Sequence, residues 1–281
     1  MIEIVPSIEA LSATDEVWFV DIWGVLHNGV APFVGAVAAC RAFRTRGGVV
    51  VLVSNAPRRA SAVALALDRV GVPRDAYDAI QSSGDTARGL IAALGNQPIY
   101  HLGPERDQGI YEDLAVRQVS ADAAHTIVCT GLVDDDRETA QTYHALLSQF
   151  AARAVPMICA NPDLVVERGG RLIPCAGAVA AHYTGLGGQV SYAGKPHPPI
   201  YTAAFALADK LAGRAVPRTR ILAIGDGVRT DIAGASAVGL RSVYIASAVS
   251  LEGGVLSATS LTHLFPDPAC RPIAAMPALR W

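Results

Sequence analysis

The stretch Val17-Trp18-Phe19-Val20-Asp21 is a continuous apolar run that ends in a carboxylate. Such a run is typical of a strand that is covered on both faces of a parallel sheet. Outward from it, the helical pattern of Phe33 to Arg46 stops at Gly47-Gly48. A second buried run, Val49 to Val53, then leads into Ser54-Asn55. Apolar strands that alternate with helices predict an α/β fold with a doubly wound parallel sheet.

The same alternation returns late in the chain. Val190 to Ala193 reads as a strand before Gly194-Lys195-Pro196, and Ile221 to Ile224 reads as another before Gly225-Asp226. We expect both strands to belong to the same outer sheet as Val17 to Val20. The chain therefore predicts a core that is built from its two ends.

The middle of the chain has strands and helices of its own. Ile127 to Cys129 reads as a strand, a long helix is expected from about Asp136 to Ala154, and Val165 to Ile173 reads as a hairpin folded about Gly169-Gly170. Because these elements can form a separate sheet, we place an inserted α/β domain over residues 80–188. The core then consists of residues 1–79 and 189–281.

Composition excludes several classes of protein. The 281 residues carry a formal net charge of −2, 51% are hydrophobic and 17% are charged, which argues against a disordered chain and against the basic patch of a nucleic-acid-binding protein. The uncharged stretch Leu172 to Gly194 has the length of a membrane span, but Pro174, His182 and several glycines interrupt it. Five cysteines without a C-x-x-C pair and an acidic N-terminal stretch indicate a cytoplasmic protein with reduced thiols.

Chemistry is expected where the strands end, because ligands of an open parallel sheet bind outside the carboxyl ends of its strands. Two aspartates at such an edge can hold Mg²⁺, which takes few carboxylates and keeps positions for water and a substrate phosphate. A hydroxyl, an ammonium group and backbone N–H groups suit a phosphoryl group, and an aspartate can serve as the nucleophile. Each residue alone could be a cap or a solvated loop residue, but four compatible strand ends favour one pocket: Asp21, Ser54-Asn55, Lys195 and Gly225-Asp226.

These stretches resemble the four motifs of the haloacid dehalogenase (HAD) superfamily. The chain as a whole resembles the class IIA, NagD-like phosphatases, in which a large C2-type cap is inserted between the second and third motifs. The resemblance implies a Rossmann-like core, an α/β cap that governs substrate specificity, and Mg²⁺-dependent hydrolysis of a small phosphorylated metabolite. The matching segments are Asp21 to Leu26, Ser54-Asn55, Ala160 to Asp163, Pro174 to Ala178, Gly194 to Pro196 and Gly225 to Asp231.

The resemblance also assigns roles to individual residues. It makes Asp21 the nucleophile and a metal ligand, together with the backbone carbonyl of Trp23 and the carboxylate of Asp226. Asp231 would hold metal-bound water or support the site from behind. The remaining assignments are Ser54, Asn55 and Lys195 for the phosphoryl group, with Lys195 also offsetting charge, and Asn161 and Asp163 for the substrate on the cap side.

Trp23 departs from the family pattern. Phosphatases of this group usually carry an aspartate two residues after the nucleophile, and it acts as general acid and base. An indole offers only a weakly acidic N–H donor. The backbone carbonyl that would bind the metal is therefore retained, while the acid–base step is in question. His27, in the following turn, could replace the missing group or be a turn or core histidine.

Two alternatives stay open on the sequence. The first is a non-catalytic protein that binds phosphorylated metabolites, and the second is hydrolysis at carbon, against which the retained Asp226 and Asp231 argue. Two other features rank lower: Asp134-Asp135-Asp136 is interpreted as the cap of the long helix, and Gly185 to Gly188 precedes a strand instead of following one, unlike a dinucleotide loop. We expect no nucleic-acid or membrane partner, and the oligomeric state, a homo-oligomer included, is left open.

Overall fold

The structure, a computed structural model, describes residues 2–168, 171–246 and 256–281. It divides into two compact units. The first unit contains residues 1–54, 64–81 and 201–281, and the second contains residues 55–63 and 82–200. The α/β class that the sequence predicts is confirmed, because parallel strands and helices alternate in both units.

The elements are named here in chain order. The strands of the described residues are β1 (Glu3–Ile4), β2 (Val17–Val20), β3 (Val49–Ser54), β4 (Ala79–Ser82), β5 (Pro98–Leu102), β6 (Arg117–Gln118), β7 (Thr126–Cys129), β8 (Met157–Cys159), β9 (Val165–Arg168), β10 (Arg171–Pro174), β11 (Val190–Tyr192), β12 (Ile221–Gly225), β13 (Arg241–Ile245) and β14 (Ala274–Met276). The helices are α1 (Val34–Thr45), α2 (Ala60–Val70), α3 (Ser83–Ala92), α4 (His144–Ala152), α5 (Ala176–Gly185), α6 (Pro198–Ala212), α7 (Ala233–Ala237) and α8 (Ala258–Leu264).

The first unit is built on a seven-stranded sheet in the order β1-β14-β13-β12-β2-β3-β4. The strands from β1 across to β3 run parallel. All four residues of β2 are buried, which is why Val17 to Val20 are all aliphatic or aromatic. Trp18 stacks on Phe43 of α1 with ring centroids 4.0 Å apart, so the helix covers this part of the sheet. Burial of each such side chain stabilises the fold by roughly 1.5–3 kcal/mol.

The second unit has a five-stranded parallel sheet in the order β11-β8-β7-β5-β6. The strand β11 lies in this sheet, where Val190 to Tyr192 pair with Met157 to Cys159. The expectation that Val190 to Ala193 joins the same sheet as Val17 to Val20 was therefore wrong. Three residues are too few to identify their partner strand by pattern.

The long helix expected from Asp136 is shorter than predicted. Its first turn is a 3-10 turn, Ala140–Tyr143, and α4 begins only at His144. Thr139 and Thr142 form a capping box there, so Asp134-Asp135-Asp136 does not cap the helix. These aspartates instead form ion pairs with Arg137, Arg106 and Arg171, respectively.

The remaining features concern the hairpin, the thiols and the membrane. The strands β9 and β10 pair antiparallel, as the hairpin prediction requires, while Gly169-Gly170 lies outside the described residues. All five cysteines are free thiols, and four of them are buried. Among the described residues, no helix combines the length and apolarity that crossing a bilayer requires.

Candidate active site

Asp21 and Asp226 follow neighbouring strands of the seven-stranded sheet. In the register of β2 and β12, Val20 lies opposite Ile224, and the N–H of Asp21 donates to the carbonyl of Ile224 at 2.8 Å. Asp226 comes directly after the last residue of β12. The pairing of these two strands brings both aspartates to the carboxyl edge of the sheet, where the sequence places its pocket.

Asp231 joins them from the turn that follows β12. The turn Val228–Ile232 is a π-helical segment, and the buried Asp231 accepts a hydrogen bond from the N–H of Gly227 at 3.0 Å. One carboxylate oxygen from each of Asp21, Asp226 and Asp231 lies within 4.8 Å of the other two. The turn therefore completes a cluster of three acids.

The chemistry of this cluster fits a hard divalent cation. Three carboxylates at such short range repel one another, and Mg²⁺ offsets the repulsion with oxygen ligands at 2.0–2.1 Å, so that opposite ligands are about 4.2 Å apart. The cluster thus suits Mg²⁺, while the individual roles of Asp21, Asp226, Asp231 and the Trp23 carbonyl toward the ion stay predictions.

Two glycines make this close approach of the acids feasible. Gly24 has a φ of +82°, and a Cβ added there would lie 2.1 Å from Oδ2 of Asp226. A Cβ on Gly225 would lie 2.2 Å from the Cβ and Cγ of Asp231. Sequence reasoning assigned neither glycine a role, although both stand inside the quoted motifs. The signal was a glycine three residues after one acid and directly before another.

The loop after β2 holds the indole of Trp23 in place. Its ring lies edge-to-face on His27, with centroids 5.2 Å apart, and a Cβ on Gly29 would come within 2.5 Å of Cη2 of the indole. Gly29 has a φ of +87°, so the turn requires glycine for two reasons. These contacts therefore hold the indole of Trp23, two residues after Asp21, in one position.

His27 is held as a structural histidine of this loop. Its Nδ1 accepts a hydrogen bond from the N–H of Gly29 at 2.8 Å, which leaves the proton of the neutral ring on Nε2. The side chain is buried, and burial lowers the pKa of His27. A neutral imidazole with an occupied Nδ1 is a poor proton donor at neutral pH, so the geometry favours the turn histidine over the substitute acid.

Ser54 is the last residue of β3, next to β2 in the sheet of the first unit. Its hydroxyl stands at the end of the strand beside the one that carries Asp21. The first unit thus brings together Asp21, Trp23, Ser54, Asp226 and Asp231, and the roles that the resemblance assigns to them stay predictions.

The second unit holds the other predicted residues together. The Nδ2 group of Asn55 donates to Oδ1 of Asp163 at 2.8 Å and to the carbonyl of Lys195 at 3.1 Å, and its Oδ1 accepts from the N–H of Lys195 at 2.7 Å. Asn161 accepts a hydrogen bond from the N–H of Asp163 at 3.0 Å. The three residues Asn55, Lys195 and Asp163 therefore form one hydrogen-bonded set.

This set changes how Asn55 can act. Both amide hydrogens are used by Asp163 and by the backbone of Lys195, so the side chain fixes its neighbours in position. A Cβ on Gly194 would lie 2.4 Å from Oδ1 of Asn55, which explains why a glycine precedes Lys195. Lys195 itself is buried, with 3% of its surface exposed, as expected for an ammonium group that serves a site.

Comparison with known proteins agrees with this arrangement. Residues 18–117 match the family model of haloacid dehalogenase-like hydrolases, and residues 192–267 match that of HAD-hydrolase-like proteins. A haloacid dehalogenase-like hydrolase from Brucella suis 1330 is 43% identical over 98% of this chain and 99% of its own, with a TM-score of 0.87. The chain belongs to the haloacid dehalogenase-like hydrolase family.

More distant relatives come from Mycobacterium tuberculosis. A D-glycerol 3-phosphate phosphatase is 28% identical over 82% of this chain, and this chain spans 63% of the length of that relative. A crystal structure of a glycerol phosphate phosphatase in complex with magnesium is 25% identical over 96% of this chain and 77% of its own, with a TM-score of 0.70.

Proposed function

We propose that this protein is a Mg²⁺-dependent phosphohydrolase that acts on a small phosphorylated metabolite through an aspartyl-phosphate on Asp21. The observation that carries the proposal is the cluster of Asp21, Asp226 and Asp231, with carboxylate oxygens within 4.8 Å of one another. Further support comes from the relative that is a glycerol 3-phosphate phosphatase and from the related structure with magnesium. The free thiols favour the cytoplasm as its compartment.

Asp21 is the nucleophile in this proposal. One of its oxygens attacks phosphorus, the bond between phosphorus and the leaving oxygen breaks, and the phosphoryl group passes to the aspartate. A water molecule then attacks the aspartyl-phosphate, which releases inorganic phosphate and restores the Asp21 carboxylate. The hydrogen bond from Asp21 N–H to Ile224 fixes the backbone from which the attack occurs.

The other residues hold the reacting groups in position. Asp226 and the carbonyl of Trp23 would hold Mg²⁺ with Asp21, and Asp231 would hold metal-bound water or support the site from behind. When bound, Mg²⁺ neutralises charge on the phosphoryl oxygens and keeps the acids close together. Ser54 and Lys195 would bind the phosphoryl group, and Asn55 would position Lys195 through the two hydrogen bonds to its backbone.

The second unit is proposed to act as the cap, centred on residues 80–188. Asn161 and Asp163 would face the substrate from it, and the hydrogen bond between Asp163 and Asn55 fixes that loop. A cap excludes water from the reaction and supplies contacts to the organic part of the substrate. Specificity would therefore depend on the residues of this unit.

Trp23 shapes the chemistry of the leaving group. Because neither the indole nor the neutral His27 supplies a proton readily, the leaving oxygen must carry negative charge in the transition state or take its proton from water. Substrates with leaving groups of low pKa are then favoured. General acid catalysis contributes about 10²–10⁴ in rate, so alkyl phosphates would lose most of that factor.

The lack of a ready proton donor at Trp23 and His27 also supports a second candidate, a protein that binds phosphorylated metabolites with little turnover. The indole of Trp23, held by its contacts with His27 and Gly29, offers an apolar surface on which the organic part of a ligand could pack. This candidate keeps the metal and phosphate site and differs only in the rate of the chemical step.

Steady-state phosphate release tests both candidates. The purified protein is assayed against a panel of aryl, acyl, sugar and glycerol phosphates, with Mg²⁺ and with EDTA. Phosphate release that requires Mg²⁺ supports the phosphohydrolase. Tight binding of the same compounds, measured by calorimetry, without release would support the binding protein, and full activity in EDTA would refute the metal mechanism.

A further inference from the structure

Two histidines meet on the surface of the second unit, apart from the residues discussed so far. His144 is the first residue of α4, and His182 lies in the last turn of α5. Nδ1 of His144 is 3.1 Å from Nε2 of His182, and the ring centroids are 5.3 Å apart with a tilt of 49°. Two ring nitrogens from different helices therefore lie within hydrogen-bonding distance of each other.

The helices that carry these rings are firmly packed. Leu147 and Phe150 of α4 and Val179 and Tyr183 of α5 belong to one buried cluster. The hydroxyl of Tyr183 also donates to the carbonyl of Val155, three residues after the end of α4. Because packing sets the backbone positions, the two imidazoles are presented by rigid elements and not by loops.

The spacing of the nitrogens suits a shared metal ion. Zinc binds imidazole nitrogen at about 2.0–2.1 Å, so nitrogens 3.1 Å apart subtend an angle of roughly 98° at an ion between them. That angle lies between the values for octahedral and tetrahedral coordination. We infer that His144 and His182 form a binding site for a transition-metal ion such as Zn²⁺, Ni²⁺ or Cu²⁺, with water completing the coordination.

Ligand chemistry separates this site from the carboxylate cluster. Imidazole prefers Zn²⁺, Cu²⁺ and Ni²⁺, whereas carboxylates and water suit Mg²⁺. The two histidines therefore select an ion other than the one that Asp21, Asp226 and Asp231 would take. A metal ion across the two rings would tie α4 to α5.

This tie affects the loop that α5 supports. In the first turn of α5, a Cβ on Gly177 would lie 2.2 Å from the carbonyl oxygen of Pro162 and 2.5 Å from that of Asp163. The helix thus rests directly on the loop that contains Asn161 and Asp163. A bound ion would therefore restrict the movement of α5, which contacts this loop.

Metal titration of matched variants tests the site. Cu²⁺ binding is measured by calorimetry in excess Mg²⁺ for the wild type, His144→Gln and His182→Gln, with His263→Gln as the control because His263 is exposed on α8, in the first unit. Loss of one of two linked ligands should weaken binding by about 10²-fold, the low end of the range for linked contacts. The control should bind as the wild type does.

Spectroscopy of bound Cu²⁺ provides the second readout. Electron paramagnetic resonance should show coordination by two imidazole nitrogens in the wild type and in His263→Gln, and by at most one in the other two variants. Equal affinity of all four proteins, or a wild-type spectrum without two nitrogen ligands, would overturn the inference and leave only a hydrogen bond between two surface histidines. Thermal unfolding without metal checks that the variants fold.

Discussion

Replacement of Gly24 by alanine should strongly weaken Mg²⁺ binding, and with it Mg²⁺-dependent activity, while leaving the protein folded. The added Cβ would lie 2.1 Å from Oδ2 and 2.7 Å from Cγ of Asp226. A normal contact needs more than about 3 Å, so the carboxylate must shift by about 1 Å, several times the roughly 0.2 Å tolerance of a metal–ligand distance. The variant should therefore need far more Mg²⁺ for any remaining turnover.

The backbone makes a separate and smaller contribution. Gly24 has a φ of +82°, and an L-residue in that region costs about 1–2 kcal/mol. Gly47→Ala is the matched control, because Gly47 has a φ of +92° and nothing lies within 4 Å of the added Cβ. Both variants should lose similar stability on thermal unfolding, and only Gly24→Ala should lose Mg²⁺ affinity.

The assay is the Mg²⁺ dependence of phosphate release from an aryl phosphate. Wild-type protein and Gly47→Ala should share one Mg²⁺ activation curve, and Gly24→Ala should require much higher concentrations. If Gly24→Ala and Gly47→Ala show the same curve, the position of the Asp226 carboxylate does not control metal binding, and the reasoning from this contact fails.

Three further predictions concern Asp226, Trp23 and Asp107. Asp226→Ala should lose activity mainly through weaker Mg²⁺ binding, so that excess Mg²⁺ restores part of it; a loss that no Mg²⁺ concentration relieves would contradict a ligand role. Trp23→Asp should flatten the dependence of kcat/KM on leaving-group pKa by raising alkyl-phosphate turnover by up to about 10²–10⁴; a shallow wild-type slope with fast alkyl-phosphate turnover would mean that another acid is present. Burial raises the pKa of Asp107 to about 6 from 3.8, so the folded state binds its proton more tightly and stability falls by about 3 kcal/mol as the pH rises through both values, from about 3 to 7. Asp107→Asn should remove this loss in denaturant unfolding across that range, and an unchanged pH profile would contradict it.

The sequence predicts the residues that follow the strands of the first unit. Asp21 and Asp226 follow β2 and β12, two fully buried strands. A continuous apolar run that ends in an acid is a local pattern, so the sequence alone identifies it. The glycine contacts at Gly24 and Gly225 were not predicted, because they depend on how close two turns come. Such distances are tertiary properties that no local pattern encodes.

The errors have the same cause. The strand β11 was assigned to the wrong sheet because the residues of β8 that it pairs with lie 33 positions earlier, and pairing over such a separation leaves no local trace. Asp134-Asp135-Asp136 was interpreted as a helix cap, but two of these aspartates pair with arginines distant in sequence, Arg106 and Arg171. Long-range ion pairs overrode a local preference.

The role of His27 shows the limit of sequence reasoning at the site itself. The residue type and its place beside Trp23 are compatible with a proton donor. The hydrogen bond from Gly29 to Nδ1 and the burial of the ring favour a structural role instead. Only the coordinates of the turn distinguish the two.

The central claim is that Asp21 accepts the phosphoryl group in a Mg²⁺-dependent step. The most direct measurement is mass spectrometry of protein quenched in acid early in the reaction with an aryl phosphate. We predict one added phosphoryl group on the peptide that contains Asp21, present with Mg²⁺ and absent with EDTA or in Asp21→Asn. Rapid phosphate release by a folded Asp21→Asn variant, or a phosphoryl group on a different residue, would contradict the account.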